Sequence, residues 1–271
     1  MHWSHFINLS QPPNKNNDYV RKAATACYLP LIEILKAHPK AHITVNIDGN
    51  LAERLTTVGQ KAVITGFGDL AAKGQIELTA SAYASPVLGP MKPDEMKAAI
   101  KKNTDVMRGF MGDVYEPVGF FPPEMAYDPH VAPVVNELGY QWIVLDEMSH
   151  SGTPGSFLQD RVYVMDGIPN LKIVFRNRSM STGILYGQLS DAEKFMDAQK
   201  GKTENGFFVV TGTEADLYGM RRTGPRDFLV NMMDKMPAQM VTIAEVIEAI
   251  SKTEKVKPVP STWSTWDTLA F

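Results

Sequence analysis

The chain predicts an α/β fold of the (β/α)7 type, a distorted TIM-like parallel barrel. Three observations point there. Short apolar runs alternate with helical patterns along most of the 271 residues, which implies a parallel sheet. Seven runs read as strands: His5–Leu9, His42–Ile47, Gln75–Ala80, Val118–Phe121, Gln141–Leu145, Leu171–Phe175 and Gly206–Val210, with a hairpin piece at Val162–Met165 besides. No glycine-rich phosphate loop follows the first strand, which argues against a doubly wound nucleotide binder.

The first strand ends at Ser10-Gln11-Pro12-Pro13. Asp18 to Lys36 follows with apolar residues at helical spacing, and Pro30 is expected to kink it. The second strand ends in the turn signal Asp48-Gly49-Asn50, and helical pieces follow at Leu51–Thr57 and Gln60–Ala72. After the third strand, Asp94–Met111 is a strongly patterned helix. The fourth run stops at Pro122-Pro123, which have no N–H to donate, so Glu124 is held on a stiff turn just past a strand end. Asp128-Pro129 signals a helix that runs to Gly139, its start tightened by Pro133. Ser190 is expected to cap a helix to Gln199, with Glu193 at capping-box spacing. Helices at Arg226–Lys235 and Thr242–Ser251 complete a barrel domain spanning 1–251. Residues 252–271, rich in Lys, Pro and Ser and carrying Trp263 and Trp266, read as a linker or docking tail.

A chain of 271 residues that is 44% hydrophobic can bury one large core or two modest ones. The net charge of −3 and the lack of a long basic run make nucleic acid and anionic membrane poor partners. The single cysteine, Cys27, reads as a small core residue. The N-terminus lacks the layout of a signal peptide and no run approaches a membrane span, so a cytoplasmic protein is expected.

Most strands end in polar residues: Asn8 and Ser10, Asn46 and Asp48, Glu124, Asp146 and Glu147, Arg176 and Arg178, Glu214 and Asp216. In a barrel such ends converge on one rim. Two carboxylates facing across a pocket are what glycoside hydrolysis requires, one ionised as nucleophile and one protonated for the leaving oxygen. The plain alternative is that loops are polar and that Arg176 and Arg178 partner buried carboxylates. Metal chemistry is the rival: His38 and His42 have the spacing of a helical ligand pair, but Pro39 breaks a helix there and His42 opens a strand, on the wrong rim. His2 and His5 likewise sit at or before the start of a strand. No metal and no cofactor are expected.

Gly119 to Asp128 resembles the nucleophile motif of glycoside hydrolase family 57, and Gly74-Gln75-Ile76-Glu77-Leu78 resembles that family's second motif. Leu145-Asp146-Glu147 and Phe175-Arg176-Asn177-Arg178 are similar to further segments, so the likeness runs through nearly the whole chain. The resemblance implies a (β/α)7 barrel acting on α-glucans with retention, an oligosaccharide or polysaccharide substrate, Glu124 as nucleophile and Glu214 as acid/base. It adds Asn8, Ser10, Gln11, Glu77, Asp146, Asp216 and Arg176 as candidate substrate-binding residues, with Glu77, Glu124, Asp146 and Glu214 on one rim. The pattern departs in places. Asn8-Leu9-Ser10-Gln11-Pro12 stands where the family has His-x-His-Gln-Pro, and Ser85-Pro86 where many members have His before Pro. The acid/base segment, commonly Asp-Gly-Glu-x-Phe-Gly-His, reads Glu214-Ala215-Asp216-Leu217-Tyr218-Gly219-Met220. Family members continue into a helical domain that walls the cleft, so an open cleft is expected here. The departures leave a second expectation beside the enzyme: a barrel that binds a glycan or a protein partner without turnover.

Overall fold

A computed structural model describes residues 1–200, 207–222 and 224–264. Gly206, expected to open the seventh strand, and Trp266 lie outside the described residues. Seven parallel strands enclose one interior: β1 (His2–Leu9), β2 (Ile43–Ile47), β3 (Ile76–Thr79), β4 (Gly119–Phe120), β5 (Trp142–Asp146), β7 (Lys172–Arg176) and β8 (Phe208–Glu214). The remaining two are β6 (Val162–Met165) and β9 (Thr253–Val256). Ladders give the orders β3-β2-β1-β8 and β4-β5-β7-β6-β9. The two sheets meet twice. Ala80 N donates to Gly119 O (2.9 Å) and Phe121 N to Ala80 O (2.8 Å), joining β3 to β4. On the other side Asn177 N donates to Val210 O (2.7 Å), just past β7. Nearer the start of β8, Phe208 N donates to Gln159 O (2.9 Å), in the loop before β6, and β6 itself pairs antiparallel with β7.

Side chains alternate across the strands as the pleat demands. Outward residues such as Trp3, Ile7, Val45, Leu78 and Val209 pack under the helices. Inward residues form a second apolar cluster of Phe6, Phe121, Trp142, Val144, Val174 and Val210, with the helix Ile243–Ala249 packed against it. Gly119 is required by that packing: a Cβ there would lie 2.0 Å from the Trp142 ring, which is 2% exposed and has nowhere to move.

Several local expectations are refined. The Pro30 kink is a π-helical turn at Ala24–Tyr28. Pro30 cannot donate to Ala26 O, and the Arg226 guanidinium takes that carbonyl (2.5 Å). The helix after Asp128-Pro129 begins only at Val131. The cap near 190 is Asp191, whose carboxylate accepts from Lys194 N (2.9 Å), not Ser190. A helix at Arg178–Leu185 was not anticipated; it is short, and its buried apolar pair, Met180 and Ile184, stands four residues apart. Residues 253–261 are built into the domain: β9 pairs in parallel with β6, and Ser261 bridges Tyr127.

Glu77 is the main correction to the expected rim. It is the second residue of β3, so it sits at the strands' amino-terminal mouth, opposite the end where Glu214 closes β8. Its Oε2 accepts from Thr44 Oγ1 (3.0 Å) and Ala244 N (3.1 Å), while Oε1 has no partner. The rest of that motif is structural too: Gln75 Nε2 donates to Leu35 O (2.6 Å) and His38 O (3.0 Å), tying down the chain between the second helix and β2.

Burial pushes the Glu77 carboxyl up from 4.5 to about 7, against the opposing pull of its two hydrogen bonds. Between these values the unfolded chain ionises while the folded one keeps its proton, so stability falls as pH rises from about 4.5 to 7. Glu77→Gln should remove that slope, making the variant more stable relative to wild type at pH 8 than at pH 5 by ~1–3 kcal/mol. Urea titrations at the two pH values check this, and parallel curves for the two proteins would rule Glu77 out as the source.

Candidate active site

Three adjacent strands place one inward side chain each at the same level as the end of β8. Asn8 is in register with Asn46 and with Glu214, and Asn46 with Thr79. A hydrogen-bonded chain runs through them. Thr79 Oγ1 donates to Asn46 Oδ1 (3.3 Å), Asn46 Nδ2 to Asn8 Oδ1 (2.8 Å), and Asn8 Nδ2 to Glu214 Oε1 (2.9 Å) and Ser10 Oγ (3.1 Å). Asn8 is 2% exposed and its amide bonds the Glu214 carboxyl, while Glu214 as a whole is half-buried. Burial lifts that carboxyl to about 8. The Asn8 bond opposes the rise, the charges of Glu124 and Asp216 add to it, and Arg221 offsets part. At neutral pH Glu214 therefore carries a proton.

Glu214 opens into a cavity of about 570 Å³ whose walls include Ser10, Gln11, Ser85, Glu124, Arg176, Asp216 and Trp263. Glu124 reaches it from the turn after β4 and is exposed to solvent. Its backbone is left-handed (φ 59°), as is that of Met125 (φ 45°). Among the described residues the other two non-glycine residues with positive φ, Ala84 (63°) and Ser85 (51°), also line the cavity. Such conformations cost of order 1–3 kcal/mol each and persist only where the surroundings enforce them. For Ala84 and Ser85 the enforcer is Asp48, which accepts from Ala84 N (2.9 Å) and Ser85 Oγ (3.2 Å).

Beneath the cavity lies a buried ion cluster. Asp146 is fully covered and accepts from Arg176 Nη1 (2.7 Å) and from Arg178 Nη2 (2.9 Å) and Nε (3.1 Å). Arg176 also donates from Nε to Gly212 O (3.0 Å), which fixes its edge against the cavity. Gly212 permits this approach, since a Cβ would press on Arg176 Cδ at 3.2 Å and Met125 Cε at 3.3 Å.

Of the nine residues expected at the site, Ser10, Gln11, Glu124, Arg176, Glu214 and Asp216 line the cavity. Asn8 stands directly behind it. Asp146 does not line it, because both arginines enclose its carboxylate, and Glu77 belongs to the other mouth. Asp216 pairs with Arg221 (2.9 Å). Lys15, Tyr19, Thr213, Arg221 and Trp263 also line the cavity and were not singled out as site residues. Only Trp263 left a sequence signal, an aromatic residue in a polar tail. His38 bonds Ile34 O and Asp234, and His42 bonds Glu245, all away from the cavity. Among the described residues no group of three His, Cys, Asp or Glu side chains is arranged to hold a metal ion. No described helix is long and apolar enough to cross a membrane.

The family model for glycosyl hydrolase family 57 matches residues 4–260. The chain belongs to that family. An α-amylase of Pyrococcus horikoshii is 27% identical over 141 residues, covering 52% of this chain and 22% of the amylase. The 4-α-glucanotransferase of Thermococcus litoralis superposes with a TM-score of 0.82 at 18% identity, over 97% of this chain and 40% of that one. A branching enzyme of Pyrococcus horikoshii superposes at 0.79 and 13% identity, over 98% and 73%. These likenesses establish the TIM-like barrel, and this family 57 domain matches only about a fifth of the length of that amylase.

The Asn8 bond to the charged form of Glu214 makes a directional prediction. Asn8→Leu should move the Glu214 titration above about 8, because the charged form loses a donor while burial remains. Leaving Asn46 Nδ2 unpaired should also cost ~1–3 kcal/mol of stability. Carboxyl ¹³C NMR of the two proteins, with Glu214→Gln to assign the signal, measures the shift. A midpoint that falls or stays put contradicts the assignment.

Proposed function

We propose that this domain cleaves or transfers α-linked glucosyl units by a retaining two-carboxylate route, with Glu124 as nucleophile and Glu214 as acid/base. The observation that carries the proposal is the pairing of unlike environments: Glu214, covered and protonated at neutral pH, faces the same cavity as solvent-exposed Glu124. Two carboxyl groups held apart in this way divide acid from nucleophile.

In the first step the Glu214 O–H gives its proton to the glycosidic oxygen as a Glu124 oxygen attacks the anomeric carbon. The C–O bond to the leaving sugar breaks with its electron pair on the departing oxygen. Glu214, now a carboxylate, takes a proton from water or from an acceptor sugar hydroxyl, whose oxygen displaces Glu124. Water gives hydrolysis and a sugar hydroxyl gives transfer. Arg176, Gln11 and Asp216 face the cavity where they can bond sugar hydroxyls. The relatives' activities, amylase and glucanotransferase, supply the α-glucan class. A second reading, glycan binding without turnover, draws support from Asn8, Ser10 and Ser85, which stand where the family pattern has histidines.

A panel of α-glucans and aryl α-glucosides tests the proposal. The first-formed product should keep the α configuration, read by ¹H NMR, and a β product would overturn retention. Turnover should fall as pH rises through about 8, where Glu214 loses the proton it must donate. Glu214→Gln should erase that alkaline fall and slow glucans by about 10²–10⁴-fold, sparing aryl glucosides with good leaving groups. Glu124→Gln should reduce turnover to background with oligosaccharide affinity kept. A wild type that turns over nothing in the panel, yet binds oligosaccharides as tightly as Glu124→Gln, is a binding module.

A further inference from the structure

Trp263 belongs to neither the strands nor the turns that carry the two carboxylates. It sits on the segment that follows β9, and that segment is fastened along its length. Val259 N donates to Ser149 O (2.8 Å), Ser261 bridges Tyr127 through two backbone bonds (2.8 and 3.2 Å), and its hydroxyl meets Ser149 Oγ (2.6 Å). Arg178 Nη2 donates to Thr262 O (3.0 Å). These anchors hold the segment as a fixed wall against the mouth of the cavity.

At its tip Trp263 grips Glu124 twice. The indole Nε1–H donates to Glu124 Oε2 (2.7 Å), and the backbone N–H donates to Glu124 O (3.3 Å). The ring is itself wedged, 5.9 Å from the Phe121 ring and 5.7 Å from the Arg176 guanidinium. An indole is a donor only, so this contact is made to a lone pair of the carboxylate and to one oxygen alone. Glu124 needs such help, since its left-handed backbone does not hold itself in place.

We propose that Trp263 is the positioning residue of the nucleophile: its indole N–H ties up Oε2 of Glu124, fixes the carboxylate plane, and leaves Oε1 to attack. The inference rests on the glycosidase reading above, and it assigns the N–H and the ring separate tasks. The N–H sets the geometry of attack, while the ring, which lines the cavity, contributes contact area to the bound sugar.

The test replaces the N–H while keeping the ring. Trp263→Phe and a protein carrying 3-benzothienylalanine at position 263, which has the bicyclic shape of tryptophan with sulfur in place of N–H, are assayed with an aryl α-glucoside. Both should lose kcat by on the order of ten- to a hundredfold, with KM changed less than about threefold, because a misplaced group is felt in the transition state. Trp263→Ala should add a rise in KM. The benzothienyl protein preserves packing, so it decides the matter if Trp263→Phe folds poorly. Wild-type kcat in that protein, or a loss confined to KM, overturns the positioning role and leaves the glycosidase reading standing. A wild type inactive on every α-glucoside overturns both, and is told apart by the absence of any turnover to lose.

Discussion

The row Thr79, Asn46, Asn8, Glu214 ties four strands together at one level, and the geometry of the cavity floor follows from it. Each member is fixed by parallel register, Asn46 opposite Thr79 and Asn8 opposite both Asn46 and Glu214. A slip of one residue in β1 or β2 would turn an asparagine into the outer apolar layer and an Ile, Leu or Val toward the cavity. Glu214 is thus placed by the pleat of the sheet rather than by a loop. Glu124 depends on the opposite device, a turn with two consecutive left-handed residues after a pair of prolines. One carboxylate is held by regular structure and the other by strain supported from outside.

The ion cluster of Asp146, Arg176 and Arg178 explains why charges can sit under an enclosed site at all. Asp146 is surrounded by donors from both arginines and from Met148 N (3.2 Å), so its burial leaves no unpaired charge. Arg176 then presents a guanidinium edge whose position is set by Asp146 and by Gly212 O.

Much of this was legible in the chain. The seven parallel strands follow from short apolar runs between helices, and the stop at Pro122-Pro123 marks Glu124 without any coordinates. Glu77 shows where such reading fails: a motif identifies a segment but not which mouth of the barrel it faces, and Glu77 stands at the start of its strand. Asp146 shows a second limit, because spacing cannot tell a carboxylate that meets substrate from one consumed by two arginines. The helix at 178–185 was hidden by its mixed polar pattern, since one side faces the cavity through Ser181 and Leu185. Trp263 was visible only as an odd aromatic in a Pro- and Ser-rich stretch, because its partner lies 139 positions earlier.

Trp263 itself comes late in the chain. One edge of β6 pairs with β7 and the other with β9. A chain emerging from the ribosome can lay down every strand of the barrel while that edge is still bare and Glu124 is still untended. The strand that pairs with that edge and the residue that bonds Glu124 come from the same dozen residues, 253 to 264.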